Sequence, residues 1–560
     1  MRVIGFNSTH DCGAALVEDG RIRFAIEEER LTRVKHQGGF PTRSLAACAE
    51  AAGCPLSEIE AAADYWNPWK GLWRFGWHFL RSLPGSITHV RRQPGIWRSM
   101  LALEGRLRRE TGFRGRFHFV DHHLAHAAST FYPSAFEEAA IMTLDGTGEW
   151  ATTLFGVGRG RDIEVKGQVD YPHSLGKVYE AVTQYLGFRP MSGEGKVMGL
   201  APYGEPRFLE DFRRIVVSDG PLSYRVDQDY FQYQLGRERK WSDRFAAHFG
   251  PPREAESEIE DRHRDLAASL QARLEEVALE LARELRARTG QRRLCLAGGV
   301  AFNSVMNGRL LRDSGFEDVF VTPAANDAGA GLGAALWAAR HHHDEDVRHP
   351  WPGTGLGPDI DPEEARAACV RRGLSPTRPE ALAEAVASRI AAGRVIGWCR
   401  GRMEYGPRAL GQRSILADPR AAAMKDHVNA RVKHREGFRP FAPAVLVERA
   451  EEWFEGVRPT PYMLEVFPVR PERRERVAAI THVDGSARVQ TVGEESEPVF
   501  RELVRAFDRL TGVPMVMNTS FNVRGQPIVC RADDAVATFL ETGIDTLVLG
   551  DLLIDKEDAA

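Results

Sequence analysis

Apolar runs of strand length that stop at polar, glycine-bearing turns constrain this chain more than any other feature. Residues 3–6, 14–17 and 21–26 are such runs, separated by Asn7-Ser8-Thr9-His10-Asp11-Cys12-Gly13 and by Glu18-Asp19-Gly20. They read as strand, polar turn, strand, turn, strand. Further strand-like runs lie at 117–120, 139–144, 152–157, 162–169, 294–297, 319–321 and 395–399. Residues 42–53 read as a helix ending at Gly53. Leu266, Leu270, Leu274, Val277, Leu281 and Leu285 mark a long core-facing helix over 258–289. Chemistry-bearing side chains therefore collect at strand ends and helix starts.

At 560 residues the chain is long enough for roughly two to four domains. Its 74 basic and 78 acidic residues leave a net charge of −4, which gives no general drive toward nucleic acid or anionic membrane, although that sum does not exclude local patches. The seven cysteines (12, 48, 54, 295, 369, 399 and 530) form no CxxC pair, which fits free thiols in a reducing cytoplasm. No secretion signal and no apolar run of membrane-spanning length is read. The expected setting is cytoplasmic, with neither a nucleic-acid nor a membrane partner.

Val120-Asp121-His122-His123-Leu124-Ala125-His126 opens what reads as a helix, on which His122 and His126 share one face. Two imidazoles so spaced can hold one metal ion, against the alternative of a surface or core-satisfied pair. Asp145, in Leu144-Asp145-Gly146-Thr147-Gly148, and Asp327, in Ala325-Asn326-Asp327-Ala328-Gly329, add carboxylates after apolar runs. Two His and two Asp suit Fe²⁺, Mn²⁺ or Zn²⁺ better than Ca²⁺.

His10 and Asp11 lie on the first polar turn, where actin-like and sugar-kinase-like ATPases place a phosphate-facing loop. They either contact nucleotide or substrate, or serve an Asx-type turn. Residues 27–36 read as a solvated helix face, with Lys35 and His36 as alternative borders of an anion pocket. Between 64 and 100, Tyr65, Trp66, Trp69, Trp73, Phe75, Trp77, Phe79 and Trp97 interleave with Lys70, Arg74, Arg81, Arg91, Arg92 and Arg98. Such a stretch can bind single-stranded nucleic acid or lie on a membrane surface. It can also wall a cleft for a bulky apolar or glycosylated molecule, or form a packed helical layer with outward arginines; the last two lead. Residues 191–204 read as a glycine-rich loop without Walker A spacing. Residues 294–303 read as strand, glycine turn and helix start, whose N–H groups suit phosphate. His341, His342 and His343 open a polar, proline-bearing break, and the main boundary is expected near residue 350.

Basic residues then gather beside turns. Glu404-Tyr405-Gly406-Pro407-Arg408, Lys433-His434-Arg435-Glu436-Gly437-Phe438-Arg439, Thr481-His482-Val483-Asp484-Gly485-Ser486-Ala487-Arg488 and Asn518-Thr519-Ser520 are four such clusters. Each alone is an ordinary surface set. Together they point to one polyanionic small-molecule site, with Arg suited to bidentate phosphate contacts and Lys to point-charge binding.

These residues resemble the O-carbamoyltransferases of antibiotic and nodulation-factor biosynthesis. The matching pieces are Ser8-Thr9-His10-Asp11, the His122–His126 helix, Asp145-Gly146-Thr147-Gly148-Glu149, Gly195-Lys196-Val197-Met198-Gly199, Gly406-Pro407-Arg408-Ala409-Leu410-Gly411, Phe438-Arg439-Pro440-Phe441 and Asn518-Thr519-Ser520-Phe521-Asn522, spread over essentially the whole chain. The resemblance implies the α/β class. An actin-like ATPase domain over residues 1–350, sugar-kinase-like and similar to the universal tRNA-threonylcarbamoylation protein, is followed by a linker over 351–375 and a YrdC-like α/β domain over 376–560. It implies carbamoyl phosphate on Arg408, Lys433, Arg439, Arg488, Asn518 and Ser520, and a carbamoyl adenylate made with ATP and Mg²⁺. Nucleotide contacts fall at Gly146, Thr147, Gly148, Gly195, Lys196, Gly298, Gly299 and Asn303. His122, His126, Asp145 and Asp327 hold a divalent metal, with Fe²⁺ ahead of Mn²⁺ and Zn²⁺. His10, Asp11 and Lys35 are the catalytic candidates. The acceptor is a hydroxyl of a small natural product of the antibiotic or sugar type, in secondary metabolism. A homodimer is a permitted assembly. A tRNA-threonylcarbamoylation enzyme and a non-catalytic actin-fold ATP-binding scaffold are the alternatives.

Overall fold

The computed structural model describes residues 1–558, apart from the side chains of Leu72, Arg92, Gln93 and Asp558. Arg92, one of the interleaved basic residues, thus has its side chain outside the described set. The chain divides into two compact units, one of Met1–Phe24 and Gly38–Trp351, the other of Ala25–Gln37 and Pro352–Ala560. The second unit therefore takes in a short N-terminal segment. The stretch expected as a linker, 351–375, instead carries a helix, Pro362–Arg371, capped by the Asp361 carboxylate on the Glu363 and Glu364 N–H groups. A proline in its first turn and a cap that satisfies the orphan donors make that helix.

The first unit repeats one sheet pattern. Strands β1 (Arg2–Asn7), β2 (Gly13–Glu18), β3 (Arg21–Glu27), β4 (Ala61–Asp64) and β5 (Arg116–Phe119) form a sheet of order β3-β2-β1-β4-β5. β1 runs antiparallel to β2 and parallel to β4, which is parallel to β5. Strands β6 (Glu138–Leu144), β7 (Ala151–Arg159) and β8 (Asp162–Asp170) follow. A small hairpin of β9 (Val216–Ser218) and β10 (Tyr224–Val226) precedes β11 (Arg293–Ala297) and β12 (Asp318–Val321). The second sheet has the order β12-β11-β6-β7-β8, with β6 antiparallel to β7 and parallel to β11. Each sheet thus starts as a meander and adds two parallel strands at the other side of its first strand, the duplicated actin-like arrangement. The near-continuous burial of β1, β4, β6 and β11 fits strands covered on both faces.

Helices His122–Phe131 and Asp327–His343 pack on each other at close range. A Cβ at Gly333 would stand 1.8 Å from the Ala125 carbonyl oxygen, so only glycine permits that approach. His341, His342 and His343 form the last turn of the second helix rather than a break, and the His342 ring stacks on His118 at 4.1 Å. The expected glycine-rich loop at 191–204 is mostly helix, Glu194–Leu200, because tertiary packing of Val197 and Leu200 overrides the low helical propensity of glycine.

The second unit is built on one mixed sheet flanked by helices, in keeping with the α/β class. Its strands are β13 (Ile396–Cys399), β14 (Arg413–Ala417), β15 (Ala442–Leu446), β16 (Glu465–Pro468), β17 (Ser486–Val492), β18 (Met515–Ser520), β19 (Thr546–Leu549) and β20 (Leu552–Asp555), in the order β16-β17-β15-β18-β14-β13-β19-β20. Helices Leu382–Ala391 and Pro498–Thr511 pack together beside it. The charge run at 27–36 is not a solvated face: Glu27, Glu28, Glu29 and Arg30 are all buried. Arg30 binds Glu27 and Glu29 and donates to the Gly406 carbonyl at 2.9 Å. Among the described residues no helix is long and apolar enough to cross a membrane.

Candidate active site

The first unit gathers two imidazoles and two carboxylates from three separate segments. His122 and His126 are one turn apart on their helix and both fully buried, Asp145 follows β6, and Asp327 opens the helix Asp327–His343. Their ligand atoms all lie within 4.8 Å of one another. His122 Nε2 is 2.9 Å from Asp145 Oδ2, and His126 Nε2 is 3.7 Å from both Asp145 Oδ2 and Asp327 Oδ1. Three buried nitrogens, His122 Nδ1, His126 Nδ1 and His126 Nε2, have no hydrogen-bond partner. Such orphaned atoms are costly unless something binds them. Burial works against the Asp145 carboxylate, yet the two histidines beside it hold its pKa well below the usual range. The donor set fits a borderline divalent ion.

Outer contacts fix these groups. Tyr65 donates its hydroxyl to Asp327 Oδ2 at 3.0 Å and also meets Thr9 Oγ1. Glu149 Oε1 accepts from the backbone N–H of His122 at 2.9 Å and of Asn67 at 2.8 Å. His123 turns away, to Thr143 Oγ1 at 2.6 Å and the Ala151 carbonyl at 3.0 Å. Gly299 N–H donates to Asp145 Oδ1 at 3.0 Å. A Cβ at Gly298, whose φ is +92°, would stand 2.1 Å from the Leu144 carbonyl oxygen. The glycine turn therefore holds Asp145 as well as offering N–H groups.

The first polar turn reaches the same place. Asn7 Nδ2 donates to the His10 and Asp11 carbonyls, so the turn is fastened from within, and Asn326 Nδ2 donates to Asp11 Oδ2 at 3.3 Å. His10 is exposed. Lys177, which sequence reasoning missed, lies beside Gly146 and pairs with Glu180 at 2.7 Å. A cavity of about 320 Å³ lies against the start of the His122 helix, walled by Trp69, Trp73 and Trp150 with Asp121 and Glu149.

The second unit gathers cations. Side chains alternate along a strand, so Arg488 and Gln490 share one face of β17, as Asn518 and Ser520 share one face of β18. Asn518 Nδ2 donates to Gln490 Oε1 at 2.7 Å and to the Ala409 carbonyl at 3.1 Å, and Gln490 Nε2 donates to the Leu410 carbonyl at 2.8 Å. Glu404 Oε1 accepts from the N–H groups of Leu410, Gln412 and Arg413 at 2.7, 2.9 and 3.0 Å. These bonds fix the loop that carries Arg408. Burial lowers the pKa of Arg408, and Arg439 lowers it further; Arg488 is lowered by burial and by Arg408, Arg435 and Arg439. Lys433 is likewise lowered by burial, then by Arg435, Arg439 and Lys35. Its ammonium donates to the Ser520 and Asn522 carbonyls at 2.7 and 2.9 Å and to Asn522 Oδ1 at 2.5 Å, contacts that favour the charged form. Against these cations stands Glu436, 3.9 Å from Arg439. Arg408 Nε, Arg488 Nε and Asn518 Oδ1 are buried without a hydrogen-bond partner.

Two family models now match in sequence: carbamoyltransferase N-terminus over residues 2–66 and 86–336, and carbamoyltransferase C-terminus over residues 387–556. The chain belongs to the carbamoyltransferase family. It is 40% identical over 590 residues to the uncharacterized protein sll1178 of Synechocystis, covering 98% of this chain and 95% of that one. It is 42% identical to the nodulation protein NolNO of Sinorhizobium fredii, covering 98% of this chain and 80% of that one. It is 37% identical to a 3'-hydroxymethylcephem-O-carbamoyltransferase of Amycolatopsis lactamdurans over 51% of this chain and 52% of that one.

This carbamoyltransferase brings together His122, His126, Asp145 and Asp327, with Gly146, Gly148, Gly298, Gly299 and the His10–Asp11 turn around them. It brings Arg408, Lys433, Arg439 and Arg488 together in the other unit, with Asn518 and Ser520. Lys35 belongs to the second unit and acts on Lys433. Asn303 is committed to structure, since its Oδ1 caps the Met306 N–H and the amide pairs with Gln271. Gly195 and Lys196 lie on a helix, and Lys196 Nζ sits 5.3 Å from the Phe188 ring. Thr147 turns its hydroxyl to the Gly148 carbonyl at 3.1 Å. Arg435, part of the second basic cluster in the sequence, acts on Arg488, as Arg408 and Arg439 do.

Proposed function

We propose that this carbamoyltransferase transfers the carbamoyl group of carbamoyl phosphate to a hydroxyl of a small acceptor, with ATP consumed through a carbamoyl adenylate. The observation that carries this reading is the cluster of buried Lys433 with the half-buried Arg408, Arg435, Arg439 and Arg488, faced by Glu436. Desolvated like charges are unfavourable together unless an anion neutralises them. A phosphate dianion matches guanidinium forks. In the second unit, hydrolysis of carbamoyl phosphate leaves carbamate and inorganic phosphate. A carbamate oxygen then attacks the α-phosphorus of ATP and displaces pyrophosphate.

In the first unit, the acceptor oxygen attacks the carbamoyl carbon, its proton leaves, and AMP departs. His10 and Asp11 orient the acceptor and take that proton. His122, His126, Asp145 and Asp327 would hold a divalent metal, of which Fe²⁺ is the leading candidate, and it would supply positive charge beside the adenylate phosphate. Lys35 is reassigned from acceptor activation to the anion site. The glycines at 146, 148, 298 and 299 permit close approach of a nucleotide.

The test is carbamoyl-phosphate-dependent release of AMP and pyrophosphate from ATP by the full chain. The reading requires that release, and requires Arg439→Ala to abolish it. AMP release that survives Arg439→Ala would sink the assignment of the anion site.

A further inference from the structure

The helix Leu72–Arg81 carries a broad apolar arc, with Arg74, His78 and Arg81 on the remaining side. Its inner side is packed: Phe79 is buried, and Phe75 lies 5.0 Å from the Trp150 ring and 5.6 Å from Tyr171. Its outer side carries Trp73 and Trp77, 69% and 52% exposed, and Leu80. Trp69 and Leu83 extend this face, and Ile87, Ile96 and Leu101 are exposed along the next helix, Ile87–Leu101. These eight are half of the sixteen large apolar side chains exposed among the described residues, so the exposure is concentrated. The family match skips residues 67–85, which hold Trp69, Trp73, Trp77, Leu80 and Leu83. Ile87, Ile96 and Leu101 lie within the matched range.

Charge decides what covers it. From Tyr65 to Leu103 the sequence holds six basic residues and no acidic one. Arg81, Arg91 and Arg98 are exposed, and Arg81 stacks over Trp77 at 4.5 Å. The whole-chain charge of −4 averages over this patch.

We infer that this face is a docking surface for an anionic phospholipid membrane. Tryptophan rings settle at headgroup depth, Leu and Ile side chains reach the acyl boundary, and arginines meet lipid phosphates. A second copy is disfavoured, because a two-fold interface would set one cationic patch against its own image. Bases can stack on Trp69, Trp73 and Trp77, but Leu80, Leu83, Ile87, Ile96 and Leu101, five of the eight, offer aliphatic surface that suits acyl chains and not bases. The protein binds as a peripheral layer, consistent with its lack of a spanning helix among the described residues.

The experiment is co-sedimentation of the full chain with phosphatidylcholine vesicles, with and without phosphatidylglycerol. Binding is expected only when phosphatidylglycerol is present, and it weakens with salt. Trp77→Ser/Leu80→Ser lowers vesicle affinity about tenfold or more. Arg81→Glu and Arg98→Glu each lower it about fivefold or more. The thermal unfolding midpoint of each variant stays that of the parent chain. Failure to sediment with anionic vesicles overturns the inference, as does undiminished binding by both variant sets. Wild-type dimerisation or single-strand binding that Trp77→Ser/Leu80→Ser removes, without vesicle binding, overturns it in favour of the other occupant.

Discussion

His122 Nε2 stands 2.9 Å from Asp145 Oδ2, joining the first turn of one helix to the end of a strand 23 residues away in sequence. His126, one turn on, faces the same carboxylate and Asp327 as well. The arrangement makes a candidate metal site out of a helix face, an acid after a strand and an acid at a helix start, and its outer contacts can be tested apart from the four residues themselves.

Tyr65 holds Asp327 through a 3.0 Å hydrogen bond without being a ligand itself. Tyr65→Phe is expected to weaken metal binding by about 10- to 100-fold, as loss of outer-shell partners does. Chelator competition on the purified protein reads this. An unchanged affinity would show that the Asp327 orientation is set elsewhere.

Arg488, half-buried with its Nε out of contact with solvent, is repelled by Arg408, Arg435 and Arg439. Arg488→Met should therefore raise the stability of the ligand-free chain, by about 1 kcal/mol or more. The same change should remove the stabilisation that inorganic phosphate or carbamoyl phosphate confers. Thermal melts with and without each anion separate the two effects. A variant both less stable and still protected by phosphate contradicts the cluster assignment.

Lys433 has a folded pKa lowered by burial, then by Arg435, Arg439 and Lys35. Between that lowered value and the ordinary lysine value of about 10.4, the unfolded chain binds the extra proton. The stability of the ligand-free protein should consequently rise with pH across this window, and Lys433→Met should flatten the rise. Phosphate, by favouring the ammonium, should reduce the slope. Denaturant unfolding at stepped alkaline pH measures all three.

Glu404 is buried and accepts three backbone N–H groups with one carboxylate oxygen. Glu404→Ala leaves those donors orphaned and should cost about 3–5 kcal/mol. Glu404→Gln should recover part of the loss while raising KM for carbamoyl phosphate, since the Arg408 loop is held less firmly. Urea unfolding and steady-state kinetics check the pair. Equal stability of Glu404→Ala and the parent would remove Glu404 from this role.

Much of the metal site was legible because its signals are local. A four-residue histidine spacing on a helix, and acids after apolar runs, follow from backbone periodicity alone. Lys177 and Tyr65 gave no such signal, since each acts through neighbours brought close only by folding. The burial of Glu27, Glu28, Glu29 and Arg30 was equally hidden, because a run of charges looks solvated until its partners, such as the Gly406 carbonyl, are known.

The sequence by itself determined the strand-and-turn order, the helical histidine pair and the basic turns of the second half. It did so because hydrophobic period and turn chemistry act over a few residues. Only the tertiary structure decided that Lys35 acts on Lys433, and that Asn303 caps a helix. It also decided that half a helix of tryptophans faces outward. Those outcomes depend on which distant segments share a core, and burial is a property of the whole packed unit rather than of any stretch within it.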